Sequence, residues 1–235
     1  MPPEHRACEP DQLWLWRCAQ QPMAYQLFDR DNRPISQADL QNRAALYEHG
    51  LTAEQVFVSR YGSRLNVAVN PAKQRDPTAP DLVFRGHLAD LKCQNTPFFL
   101  AHRYGLQPTF AVTFNLKDAL SYGPAGHHYR GLHVIYWVDW VAVRMRIGDS
   151  DYGVRPLTGV WAVEFARLDA LRRQRPIHWY NQRERHEEAN PHRKRLLAGF
   201  EPRLVEGERV WAIRGRHDNA ACSYLFDLND FERLD

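Results

Sequence analysis

Two periods of apolar and polar residues alternate along the chain, and the switches between them predict its elements. "ISQADLQNRAALYEHG" reads as a helix: Ser36 suits an N-cap, Leu40, Ala44 and Tyr47 recur at helical spacing, and Gly50 closes it. "EQVFVSR" and "RLNVAVN" are rich in β-branched and aromatic residues and read as strands. "PAKQRDPTAP" is a loop with three prolines, and "DLVFRG" and "HLADLKCQ" are two strands turning near Arg85 and Gly86. A helix from about Thr96 to Tyr104 follows, with Pro97 in its first turn. "PTFAVTF" predicts a further strand, and His133 to about Ile147 one long strand. "GVWAVEFARLDALRRQ" predicts a strand running into a short basic helix, and "NAACSYLFDLNDFERLD" a closing strand with a helical turn.

Helix, three strands, helix, strand is the order of an α/β (α+β) fold with a mixed sheet flanked by helices. The expected division is an N-terminal extension over 1–35, a core over 36–125 and a C-terminal extension of the same domain over 126–235. Composition supports a sizeable core, since 44% of the 235 residues are hydrophobic and 12% aromatic. A net charge of +3 gives no global argument for a nucleic-acid partner. Locally, Phe165 to Arg195 holds nine Lys or Arg against four Asp or Glu, which suits a phosphate-facing patch and a solvated helix equally. Cys8, Cys18, Cys93 and Cys222 form no zinc-binding spacing. "LHVIYWVDWVAV", the most apolar run, is too short and too polar to cross a bilayer, and no secretory signal is visible. The expectation is a cytoplasmic protein with reduced thiols, not bound to membrane.

Candidate chemistry concentrates in "PDLVFRGHLADLKCQ". Alternate side chains of a strand face opposite ways, so Leu88, Asp90, Lys92 and Gln94 share one face and Ala89, Leu91 and Cys93 the other. The second set is small and apolar, fit to lie against a helix. A tight turn brings Asp81 back beside Asp90. Two carboxylates that close repel unless a cation lies between them, and hard oxygen ligands suit Mg²⁺. Lys92 would then hold a phosphate as a point charge, or orient or deprotonate a water.

"PD" at Pro80–Asp81 and "DLK" at Asp90–Lys92 resemble the signature of the PD-(D/E)XK nuclease superfamily, whose restriction-endonuclease-like core has the order αβββαβ. The resemblance covers about residues 36–115. It implies metal-dependent hydrolysis of phosphodiester bonds, most often in DNA, with Mg²⁺ or Mn²⁺ held by Asp81 and Asp90. By the same resemblance Lys92 supports the attacking water, Gln94 positions water or phosphate, and Asp39 is the helix acid that completes or orders the metal shell. Asp39 lies eleven residues before Gly50, and Glu48 sits nearer the helix end.

Outside this stretch, Trp179, Tyr180, Arg183 and Arg185 mix stacking surfaces with cations, and Arg103 follows the candidate strand; all five are weaker candidates for substrate contact. Two rival readings stand beside a DNA nuclease: a non-catalytic nucleic-acid-binding or assembly module of the same fold, and a nuclease acting on RNA. Double-strand cutting by an enzyme with one site per chain would favour a homodimer.

Overall fold

The computed structural model describes residues 25–35, 43–76, 79–122, 129–175, 177–179, 203–205, 208–210 and 222–235. Phe57, Tyr61 and Leu65, four residues apart, are buried, while Gln55, Val56, Ser59 and Arg60 face solvent. That is a helical period, and helix α1 spans Arg43–Leu65. "EQVFVSR", expected as a strand, therefore lies inside this helix, and Gly50 does not end it. A short apolar run such as Val56–Val58 cannot distinguish strand from buried helix by composition, so packing decides. Glycine within a helix costs about 1 kcal/mol, whereas burying a side chain such as Phe57 contributes about 1.5–3 kcal/mol. The helix ends instead at Asn66, whose φ of 53° is the left-handed conformation asparagine tolerates. The expected start at Ser36 lies outside the described residues.

Strands β1 (Tyr25–Phe28) and β2 (Pro34–Ile35) precede α1. After it, β3 (Val67–Val69), β4 (Leu82–Phe84) and β5 (His87–Gln94) form an antiparallel meander. Arg85 and Gly86 both have positive φ, at 50° and 83°, and make the two-residue turn expected there. β6 (Ala111–Asn115) runs directly into α2 (Leu116–Tyr122). Next come β7 (His133–Asp139), β8 (Arg144–Ile147), β9 (Ser150–Gly153), β10 (Thr158–Glu164) and α3 (Phe165–Arg172). The remaining described strands are β11 (Ile177–Trp179), β12 (Arg203–Val205), β13 (Glu208–Val210), β14 (Cys222–Asp227) and β15 (Glu232–Arg233).

The result is a mixed α/β fold. Its six-stranded sheet has the order β15-β10-β7-β5-β4-β3, and β5 pairs with β7 in parallel. Period 2 sorts the faces. Ala89, Leu91, Ile135, Val160 and Ala162 pack on Phe57, Tyr61 and Leu65 of α1. Val134, Tyr136, Val138, Trp161 and Val163 point the other way, into a core with β6, β14, α2 and α3. β6 and β14 belong to a separate sheet, β11-β14-β6, while β1 and β8 lie in a third, β2-β1-β8-β9.

Two further expectations are corrected. The long strand from His133 breaks after Asp139, because Trp140 is buried with its indole N–H donating to Thr109 O (2.8 Å). Val141 N–H then donates to Asn95 O, and the chain re-enters as β8 in the other sheet. The helix expected over 96–104 is a single 3-10 turn, Ala101–Tyr104, closed by Gly105 at φ 73°. On the basic helix α3, Arg172 is buried against Asp169 and Tyr224, and Arg175, just past its end, pairs with Asp230. Those cations serve packing. Among the described residues no helix is long and apolar enough to cross a membrane.

Candidate active site

β4 is shorter than β5, and that difference opens the sheet. The ladder between them ends at Leu82↔Ala89, so β5 continues past Asp90 without β4 beside it. Asp81 sits at this fork. Its Oδ2 accepts the Leu91 N–H (2.9 Å), taking the place of the next strand partner. Asn70, buried at the end of β3, fixes the fork from behind. Its side-chain amide donates to Pro80 O (2.8 Å), and its backbone N–H donates to Asp81 O (2.9 Å).

Six charged side chains form two ion-pair groups about this fork. Lys73, on the 3-10 turn Pro71–Gln74, donates to Glu54 Oε1 of α1 (2.6 Å) and to Asp81 Oδ1. On the other face of the strand, Lys92 Nζ donates to Asp118 Oδ2 of α2 (2.7 Å). Lys92 Nζ also lies 2.6 Å from Asp90 Oδ2. That contact is a close ion pair to a buried carboxylate oxygen. None of the six is freely exposed: their side chains range from 6% exposure at Asp90 to 20% at Lys92.

Each ammonium faces two carboxylates, so the two groups together carry a formal surplus of two negative charges in a poorly solvated place. The electrostatics register it. Burial drives the Asp90 carboxyl above the ordinary aspartate value, Lys92 opposes that, and Asp118 adds to it. Burial alone would lower Lys92, but Asp118 and Asp90 together hold it well above the ordinary lysine value. Burial pushes the Tyr122 and Tyr136 hydroxyls up as well.

Asp90 and Lys92 share one face of β5 and meet there, while Asp81 pairs with Lys73 and the Leu91 N–H. Gln94 differs. Its amide nitrogen donates to Thr113 O (2.8 Å), and its oxygen accepts from Thr113 N–H, so it clamps β5 to β6. Asp39 lies outside the described residues, and the side chain of Glu48 is not described. Glu54, seen by neither motif nor spacing, is the described acid that α1 brings to the cluster. Its signal was readable: Glu54 lies three residues before Phe57 and seven before Tyr61, a charge on the apolar stripe. Lys73 and Asp118 were also missed. Arg103 is exposed on its 3-10 turn, with no hydrogen bond or ion pair to the cluster among the described residues. Trp179 is placed on β11 opposite Cys222, while Tyr180, Arg183 and Arg185 lie outside the described residues.

The donors suit a hard divalent cation in type and charge. Glu54 and Asp81 converge on the Lys73 ammonium. As they stand, no three His, Cys, Asp or Glu side chains among the described residues are grouped to hold a metal ion. Loading would therefore require Lys73 to withdraw.

Cys93 gives a local probe. The residue reaches solvent at the open edge of β5, but surrounding protein and the Glu54 carboxylate push its thiol up to about 12. Alkylation of Cys93 at pH 7.5, followed by peptide mass spectrometry, is expected to run about tenfold or more slower than for free cysteine. Glu54→Gln should accelerate it; labelling at the free-thiol rate in the wild type would show that Glu54 does not act on this edge.

Comparison with family models, curated proteins and solved structures finds no match for this chain.

Proposed function

We propose that this chain is a metal-dependent nuclease that hydrolyses phosphodiester bonds, most often in DNA, at the open edge of β5. The observation that carries the reading is a pair of buried ion-pair groups flanking that edge, Glu54 and Asp81 with Lys73, and Asp90 and Asp118 with Lys92. With β6 set aside in its separate sheet, the order α1, β3, β4, β5, α2, β7 and the parallel pairing of β5 with β7 are compatible with the restriction-endonuclease-like core that the PD and DLK motifs imply. The surplus of two negative charges supports Mg²⁺, or Mn²⁺, as cofactor. Such an ion, when bound, polarises a phosphoryl oxygen and lowers the pKa of a bound water.

The chain's own residues have separable tasks. Asp81 and Asp90 supply hard oxygen donors from adjacent strands, and Glu54 supplies a third from α1 in the role expected of Asp39. Lys92, kept charged, offers a cation to a phosphate oxygen. Lys73 would have to leave Glu54 and Asp81 for those two carboxylates to hold such an ion. Action at a duplex on both strands would call for two copies of the chain. A cytoplasmic setting belongs to the same proposal.

One observation favours the rival module that binds or assembles without catalysis. Each carboxylate already has an ammonium partner, as a purely structural cluster would. Burying four acids and two lysines is nevertheless costly, and an apolar core would hold the fork at less cost. The deciding experiment incubates the purified chain with circular, linear and single-stranded DNA and with RNA, in Mg²⁺, Mn²⁺ or EDTA. Metal-dependent cleavage is expected, and the substrate cut separates DNA from RNA action. Binding without cleavage in any metal would move the protein to the module reading.

A further inference from the structure

We propose that His87 and His133 form a binding site for a borderline divalent transition-metal ion, Zn²⁺ foremost, separate from the carboxylate cluster. The site goes beyond the nuclease reading and does not depend on it. β5 and β7 run in parallel, and each opens with a histidine. Ala89 pairs with His133, so period 2 puts His87, Ala89 and His133 on the face that Ile135 turns to α1. Asp90 and Lys92 face the other way. The two imidazole centres lie 5.7 Å apart, with the rings tilted by 45°. Two imidazoles on one tetrahedral zinc ion, each bound at about 2.0–2.1 Å, have centres roughly 5 Å apart. The pair is therefore close to a chelating arrangement. Imidazole nitrogen suits Zn²⁺, Ni²⁺ and Cu²⁺, whereas Mg²⁺ prefers oxygen.

Both rings are seated for this. His133 Nδ1 lies 2.9 Å from Gly131 O. A carbonyl only accepts, so Nδ1 carries the hydrogen and Nε2 keeps its lone pair. A ligating histidine is commonly oriented in this way, by a backbone carbonyl on its other nitrogen. Phe84 meets the His133 ring nearly edge to face, centres 5.4 Å apart, and fixes its plane. Gly131 has a φ of 70°, and a Cβ there would stand 2.7 Å from His87 Nδ1, so glycine leaves His87 its room beside His133. As placed, the histidines are a pair, with no third ligand grouped with them among the described residues. A third is within reach. Glu164 pairs with His133 across β7 and β10 and shares its face, at a Cβ separation of about 4.5–5.5 Å. Its side chain is exposed and makes no capping hydrogen bond to α3, so a change of rotamer brings its carboxylate to the ion. Water completes the coordination. The bound ion clips β7 and β10 to β5, the strand that carries Asp90.

The test uses the full chain and needs no nucleic acid. Titration calorimetry with Zn²⁺, run in excess Mg²⁺ to occupy oxygen sites, is expected to show a binding step in the wild type. His87→Ala and His133→Ala should each weaken that step about tenfold or more, and Glu164→Gln should weaken it by less. Gly131→Ala keeps both ligands but crowds His87, and should weaken the step as well. Zn²⁺ should also raise the unfolding temperature of the wild type more than that of the variant lacking both histidines. Urea unfolding without metal identifies the folded variants. His87 is exposed, so His87→Ala serves if His133→Ala does not fold. Equal Zn²⁺ binding by the wild type and a folded His87→Ala would overturn the proposal, because zinc taken up elsewhere on the chain survives that substitution. A folded wild type that shows no Zn²⁺ step in excess Mg²⁺ would overturn it too.

Discussion

Lys92→Met is expected to destabilise the fold by about 3–5 kcal/mol at neutral pH, because it strands buried carboxylates instead of merely deleting an ion pair. Asp90 is 6% exposed and Asp118 15%, and both make contact with the same ammonium. With Lys92 gone, desolvation acts on Asp90 without its main opposing influence, and the carboxyl rises further above the ordinary value. The sign of the pH dependence follows. A carboxyl whose pKa is higher in the folded than in the unfolded chain binds more protons when folded. Stability therefore falls as pH rises from the unfolded aspartate value through the folded one, and the penalty is complete above it. Lys92→Met should accordingly recover stability on acidification from pH 8 to pH 5, relative to wild type. Asp90→Asn added to Lys92→Met should recover most of the loss at neutral pH, since it removes the stranded charge. Urea unfolding of the three proteins at both pH values checks this. Equal losses at pH 5 and pH 8 would show that Asp90 does not stay charged at a cost.

Lys73→Met should have the opposite effect on metal and on apo stability. Removing the tethered cation leaves Glu54 and Asp81, 11% and 14% exposed, converging with no charge between them. Without metal this costs stability through repulsion. With Mn²⁺ present, the variant no longer has to displace an ammonium, and affinity is expected to rise about tenfold or more, equivalent to about 1.4 kcal/mol or more. Titration calorimetry with Mn²⁺ measures the affinity, and a larger rise of the unfolding temperature with Mn²⁺ than in the wild type supplies a second reading. Weaker Mn²⁺ binding by the variant would mean that Lys73 supports a bound cation's shell instead of occupying its place.

What could be read from the sequence was local. The hairpin at Arg85 and Gly86 is legible because two alternating runs meet at a turn that needs positive φ. The sharing of one face by Asp90 and Lys92 follows from period 2 alone, and so does the packing of Ala89 and Leu91 against a helix. The rest depended on contacts far apart in the chain. Glu54 was hidden once Gly50 was taken as a helix end, since a Val-Phe-Val run then reads as strand. Lys73 lies in a proline-rich loop without a period, and only the Asn70 clamp and the fold bring it to Asp81. Asp118 meets Lys92 across 26 residues, and nothing in "NLKDALSY" singles it out. β6 pairs with β14 through Ser223↔Asn115, a register that no local pattern encodes. Gln94 was legible as a face but not as a clamp, because Thr113 reaches it from that separate sheet.

The most direct test of the account compares supercoiled DNA cleavage by the wild type and by Asp90→Asn, with Mg²⁺ and with EDTA. Asp90→Asn keeps the side chain's shape and removes the charge at the centre of the cluster, and its urea midpoint shows whether the fold is intact. The account predicts Mg²⁺-dependent nicking by the wild type, none in EDTA, and a rate about a hundredfold or more lower in a folded Asp90→Asn. Equal cleavage by the two proteins, or no cleavage by a folded wild type in any metal, would contradict it.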